Sequence, residues 1–127
     1  MNYVLSFKDL ETYKLARTIA FSIFEISKSF PSEEKYSLTD QIRRSSRSVG
    51  AQIAESWGKR RYEKHFISKL TDADSEQFET QHWLGVALEC DYITNEQHLD
   101  LTTKCDLLGK MIGNMIQKAN SFCKSFG

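Results

Sequence analysis

"LTTKCDLLGKMIGNMIQKANSF", residues 101–122, places Leu101, Cys105, Leu108, Ile112, Met115, Ala119 and Phe122 at alternating intervals of four and three. Side chains at that spacing fall on one side of an α-helix, in the coiled-coil-like pattern of a helix packed along its length against others. Just upstream, Thr94-Asn-Glu-Gln97 has the form of a capping box, so a long helix is expected to begin there. A helix with one apolar seam needs partners, and the rest of the chain supplies them.

Working towards the N-terminus, Tyr62 to Asp91 predicts another helix, with Phe66, Leu70, Ala73, Leu84 and Leu88 inward. Gln77 and Gln81 interrupt that seam with amides. Before it, Leu38, Ile42, Val49, Ile53 and Trp57 share a helical face, with Ser45 and Ser46 filling the gap, and Gly58 ends the helix. Its start is open between Pro31-Ser32 and a capping box at Ser37-Leu-Thr-Asp40. The first helix runs from about Lys8 to Phe30, where the single proline of the chain, Pro31, stops it. No pair of alternating segments is joined by a hairpin signal. Four helices with short connections define an all-α fold, an antiparallel up-down-up-down four-helix bundle spanning residues 1–127 as one domain.

Two faces exceed what one bundle core uses. Apolar side chains of the first helix cover about two-thirds of its circumference on a 100° wheel. The second helix carries Gly50, Ala51 and Ala54 among its arginines, where an exposed helix normally places long polar side chains. Wide apolar surface of this kind marks an interface, so self-association is expected.

The chain has 127 residues with 17 Lys+Arg and 17 Asp+Glu, so no global basic excess drives indiscriminate binding to polyanions. The charges are nevertheless segregated. Gln41 to Lys69 holds eight basic residues against Glu55 and Glu63, whereas Leu70 to Thr103 holds eight acids and no Lys or Arg. Arg43, Arg44 and Arg47 point away from the apolar stripe of the second helix. Pairing with carboxylates such as Glu76 and Glu79, within the chain or across subunits, is one reading, and an accessible cationic face is the other. Lys59, Arg60, Arg61 and Lys64 occupy the bend and the first turn of a helix, against the local dipole preference, beside Trp57 and Tyr62. They are the candidate contacts for RNA or single-stranded DNA, with the two aromatics read first as anchors closing the bundle end and second as stacking platforms.

Enzymatic chemistry has little to stand on. Glu79-Thr-Gln-His82 has the ExxH spacing of di-iron bundles, but His65 and His98 lack a glutamate three residues earlier, so no metal is expected. Ser45, Ser46 and Ser48 lie within a helix with no histidine near them in sequence, and no glycine-rich phosphate loop is present. No cofactor is expected. Cys90, Cys105 and Cys123 are odd in number and lack CxxC spacing, which predicts buried thiols in a reducing compartment. The opening MNYVLSFKDL has no charged start followed by an apolar run, so no secretion signal and no membrane partner are expected, and a cytoplasmic location is the expectation.

The stretch "FPSEEKYSLTDQIRRSSRSVGAQIAESWGKRRYEKHFISKLTDADSEQFETQHWL", preceded by "DLETYKLA", resembles the small "four helix bundle protein" family. That family is also called the 23S rRNA intervening-sequence or S23 family. The match runs from Asp9 to about Ile93, and Arg43 and Arg44 correspond to the paired arginines, Glu55 to the IAE glutamate, and Glu79 and Gln81 to the ETQ of the family. Many members carry glycine after IAE and GR at the bend, where this chain has Ser56 and Gly58-Lys59. The resemblance implies an antiparallel bundle assembled as a homopentameric ring, and a likeness to basic accessory proteins of retroelements that bind a reverse transcriptase and nucleic acid. The expected function is therefore a non-catalytic oligomeric accessory protein associated with nucleic acid. The alternative is an oligomeric scaffold that recruits protein partners and uses its charge blocks only to join subunits.

Overall fold

The computed structural model describes residues 4–124, and every regular element among them is helical. We number the α-helices α1 (Glu11–Ser27), α2 (Leu38–Gly58), α3 (Glu63–Glu89), α4 (Asn95–Gln117) and α5 (Ala119–Lys124). Short 3-10 turns, Phe7–Asp9 and Ser32–Glu34, precede α1 and α2. Among the described residues α1 packs on α2, α2 on α3 and α3 on α4, while α4 returns to α1; the diagonal pairs are not backbone neighbours. That is the four-sided antiparallel bundle that the seam at residues 101–122 predicts.

The core follows the helical repeats closely. Ile19, Ile23, Ile42, Ile53, Phe66, Leu70, Leu84, Leu108 and Ile112 are all buried. Burying each such side chain contributes about 1.5–3 kcal/mol, so these seams are the main source of stability. The layer at mid-height is polar. Thr80 donates to Ser45 Oγ (3.0 Å), and Gln81 donates both to Gln77 Oε1 (2.8 Å) and to Asp106 of α4 (3.2 Å). Gln77 in turn donates to Asp74 (3.0 Å). The amides that interrupt the α3 seam thus find partners in the bundle, as buried polar groups must. Gly109 makes this approach feasible, since a Cβ there would stand 3.1 Å from Gln77 Nε2.

Several boundaries differ from the sequence expectation. Pro31-Ser32 starts a 3-10 turn, and α2 begins at Leu38 with Ser37 as its N-cap. The Ser37 capping box does not form. Its hydroxyl donates instead to Glu34 (2.7 Å), whose carboxylate also accepts from Tyr92 (2.9 Å) and faces the Leu38 amide (3.4 Å). Glu34 thereby supplies the oxygen that a capping serine would. The capping box at Thr94 and Gln97 is complete, with bonds of 3.0 and 2.9 Å. The C-terminal helix is not continuous, because α4 ends at Gln117 and α5 redirects Phe122 onto Phe66 (ring centres 5.5 Å). Leu88, expected inward, is half-buried, and Ala87 takes the core position.

Of the three cysteines expected to be buried, only Cys105 is; Cys90 is exposed and Cys123 half-buried. Cys90 follows directly on the last residue of α3, outside the packed seam. Burial pushes the Cys105 thiol up to about 12, so it stays a neutral packing group. No described helix is long and apolar enough to cross a membrane.

Candidate nucleic-acid interface

The end of α2 is set by Lys59, whose amide bonds to Ser56 O (3.0 Å), and Tyr62 N then returns to Lys59 O (3.1 Å). Tyr62 adopts an extended conformation and becomes the N-cap of α3. A short turn therefore makes the antiparallel connection, and four of the basic residues singled out above lie in or beside it.

They do not behave alike. Arg60 folds back onto Trp57, its guanidinium carbon 3.5 Å from the ring centre and Nε donating to Trp57 O (2.8 Å). Burial there lowers its pKa from the ordinary arginine value, with Cys123 opposing, and arginine stays charged regardless. Lys59, Arg61 and Lys64 are exposed and have no carboxylate partner among the described residues. Lys59 complements the C-terminal end of the α2 dipole, whereas Lys64 sits in the first turn of α3, where a cation is disfavoured. The aromatics divide too. Trp57 packs against the core, and Tyr62 is exposed beside His65.

The remaining predicted site residues sit along α2 and α3. Arg44 pairs with Glu76 (3.5 Å) and, more closely, with Glu79 within the same chain. Trp83 Nε1 donates to Glu79 as well (3.0 Å), and this bond, ahead of Arg44, holds the Glu79 carboxyl below its usual range. Glu55 pairs with Lys69 (2.9 Å), which raises the lysine. Arg43 and Arg47 do not join acids among the described residues. Both guanidinium groups lie over Phe24 (4.8 and 5.3 Å), and Arg43 donates to Ser27 Oγ (2.8 Å). His82 is exposed, edge-on to Trp83.

Beside these arginines runs an open groove between α1 and α2. One section, about 410 Å³, is lined by Phe7, Tyr13, Gly50, Ala51 and Ala54, and the next, about 590 Å³, by Phe21 and Phe24. Arg17 and Arg47 border both sections. Phe21, part of the excess apolar surface of the first helix, is 64% exposed. Sequence reasoning passed over Arg17, whose only signal is its position one turn after Tyr13, to which it donates (2.8 Å).

Taken together, the fold and this surface define a small antiparallel four-helix-bundle protein with a basic connection at one end and an open arginine-edged groove along one side. The chain belongs to the 23S rRNA-intervening sequence protein family, whose model matches residues 8–114. It is similar to a protein of unknown function from the S23 ribosomal protein family of Bacteroides thetaiotaomicron VPI-5482, whose crystal structure is 28% identical. The two superpose with a TM-score of 0.74 over 84% of this chain and 95% of that one. No functionally curated protein matches the chain.

Proposed function

We propose that the protein is a non-catalytic, homo-oligomeric accessory protein of the cytoplasm that associates with nucleic acid through the α2–α3 bend. The observation that carries this reading is the cluster of Lys59, Arg61 and Lys64. Lys14, Lys28, Arg44, Lys69 and Lys104 are held in ion pairs, whereas these three cations stay solvated at one end of the bundle. Phosphates are the partners that such a cluster binds most strongly, by counterion release. The family name refers to 23S rRNA and the neighbour is assigned to a ribosomal protein family, which agrees with RNA as the nucleic acid. Exposed Tyr62 adds a ring on which an unpaired base can stack.

Self-association rests on the α1–α2 groove and exposed Phe21, and five subunits is the number that the family resemblance implies. The test is fluorescence anisotropy with labelled single-stranded RNA and DNA at low salt, comparing wild type with Lys59→Gln/Arg61→Gln/Lys64→Gln. Wild-type protein that binds neither probe, or a variant of unchanged affinity, would leave the protein-recruiting scaffold as the reading to pursue.

A further inference from the structure

We infer that two copies join face to back: the arginine-edged α1–α2 groove of one copy receives the α3–α4 face of the next. This rests on the self-association proposed above and adds which surfaces meet.

The two surfaces lie on opposite sides of the bundle, because among the described residues α1 packs on α2 and α4 but not on α3. On the first, Arg17, Arg43 and Arg47 have no carboxylate partner among the described residues. Arg43 and Arg47 lie over Phe24, and Arg17 lies 5.8 Å from the Tyr13 ring centre. An arginine laid on a ring is pre-ordered, and its N–H edge is left to take a carboxylate. Between the arginines the groove is lined by short side chains and by the rings of Phe7, Tyr13, Phe21 and Phe24, which suits an apolar helix face better than a phosphate backbone.

The opposite side has the complementary character. Phe78 lies four residues after Asp74 and three before Gln81, so it shares the side of α3 from which Gln81 reaches Asp106 of α4. Leu99 lies two helical turns before Asp106 on α4. Phe78 and Leu99 are 61% and 67% exposed, and among the described residues Asp74 and Asp106 bond through their side chains to glutamine amides and to no cation. Lys110, one turn beyond Asp106, is the cation on that side, and α3 carries no Lys or Arg after Lys69. A side with two exposed apolar side chains, on which Asp74 and Asp106 outnumber Lys110, thus complements an exposed phenylalanine whose groove section is bordered by Arg17 and Arg47. A face-to-back association uses different patches on the two copies, so successive copies add in one direction and close into a ring when the rotation allows.

Mixing two disabled variants tests this. Phe21→Glu/Arg47→Glu disables the groove face, and Phe78→Lys/Asp106→Lys disables the opposite face; Arg17→Glu and Leu99→Lys serve as milder second choices should helicity fall. Light scattering should give each variant alone the 14.7 kDa mass of one chain, and their equimolar mixture about twice that, since one intact groove meets one intact back. The inference is overturned if either variant keeps the wild-type mass or if the mixture does not combine. A wild type that is itself a monomer removes self-association altogether, whereas an oligomeric wild type with an unaffected Phe78 variant removes only this pairing of faces.

Discussion

Arg60 lies over Trp57, its guanidinium carbon 3.5 Å from the ring centre, and its Nε returns a hydrogen bond to the Trp57 carbonyl (2.8 Å). The most conspicuous cation of the bend is thereby part of the bundle end rather than of its outer surface. Replacing it with alanine should cost about 1 kcal/mol of stability, the combined scale of one partly exposed cation–π pair and one bond to a carbonyl. Lysine should recover little, having no planar group to stack. Urea unfolding of the two variants measures both, and an Arg60→Lys protein as stable as wild type would refute the stacking role.

Lys59, Arg61 and Lys64 should behave in the opposite way. Changing all three to glutamine is expected to leave the unfolding transition in place and to flatten the plot of log affinity against log salt. The slope should fall by about 0.7 for each phosphate of a single strand that the variant no longer neutralises. Tyr62→Ala should weaken binding with little change in that slope, because stacking releases no counterion. Equal slopes for the triple variant and wild type would show that the bend touches no phosphate.

Arg44 pairs with Glu76 and Glu79 inside one chain. Arg44→Met should therefore cost no more than about 1 kcal/mol, as expected for a partly exposed pair, and leave the assembled mass unchanged. Light scattering decides between this and a subunit-bridging role, for which the variant would dissociate.

Glu34 and Tyr92 give the protein a pH signature at the α2 N-terminus. Bonds from Ser37 and Tyr92 hold the Glu34 carboxyl below its ordinary 4.5, so this contribution is present above that value and is lost as pH falls through the lower folded value. The bond to Glu34 pushes Tyr92 up to about 12, so the neutral phenol persists in the folded state while the unfolded one ionises near 10.0. Stability then falls as pH rises between those values. The difference in melting temperature between wild type and Tyr92→Phe should be widest between about pH 5 and 9 and shrink on both sides. A difference independent of pH would rule out the bond.

Glycines on α4 offer a paired comparison. A Cβ at Gly113 meets nothing within 4 Å, so Gly113→Ala should gain about 0.5–1 kcal/mol from helix propensity. At Gly109 the same methyl stands 3.1 Å from Gln77 and 3.4 Å from Asp74, and the gain should vanish or reverse as the polar layer is displaced. Thermal unfolding of the two variants should differ in sign or clearly in size.

The helical seams were legible in the linear chain because burial in a bundle repeats every three or four residues, and a repeat is visible without coordinates. Ile42, Ile53, Phe66 and Ile112 lie where their spacing puts them. The helix starts were less legible. Thr94 caps α4 through local bonds to Gln97, whereas Ser37 gives its hydroxyl to a glutamate also held by Tyr92, 58 residues away. Capping by a distant partner leaves no local pattern. The break at Lys118 was hidden for a related reason: Phe122 keeps the heptad spacing, and its packing on Phe66 comes from a separate turn of helix.

By itself, then, the sequence determined the helical class, the order of the helices, the inward seams and the concentration of cations around the bend, all of which follow from residue type and short-range spacing. Tertiary structure decided which cations are engaged. Arg44 meets Glu76 and Glu79, Arg43 and Arg47 rest on Phe24, and Arg60 rests on Trp57, while Lys59, Arg61 and Lys64 remain solvated. The charge of a lysine or arginine is written in its side chain, but the group that answers the charge is chosen by which helices pack side by side, and that choice is made only when the core closes.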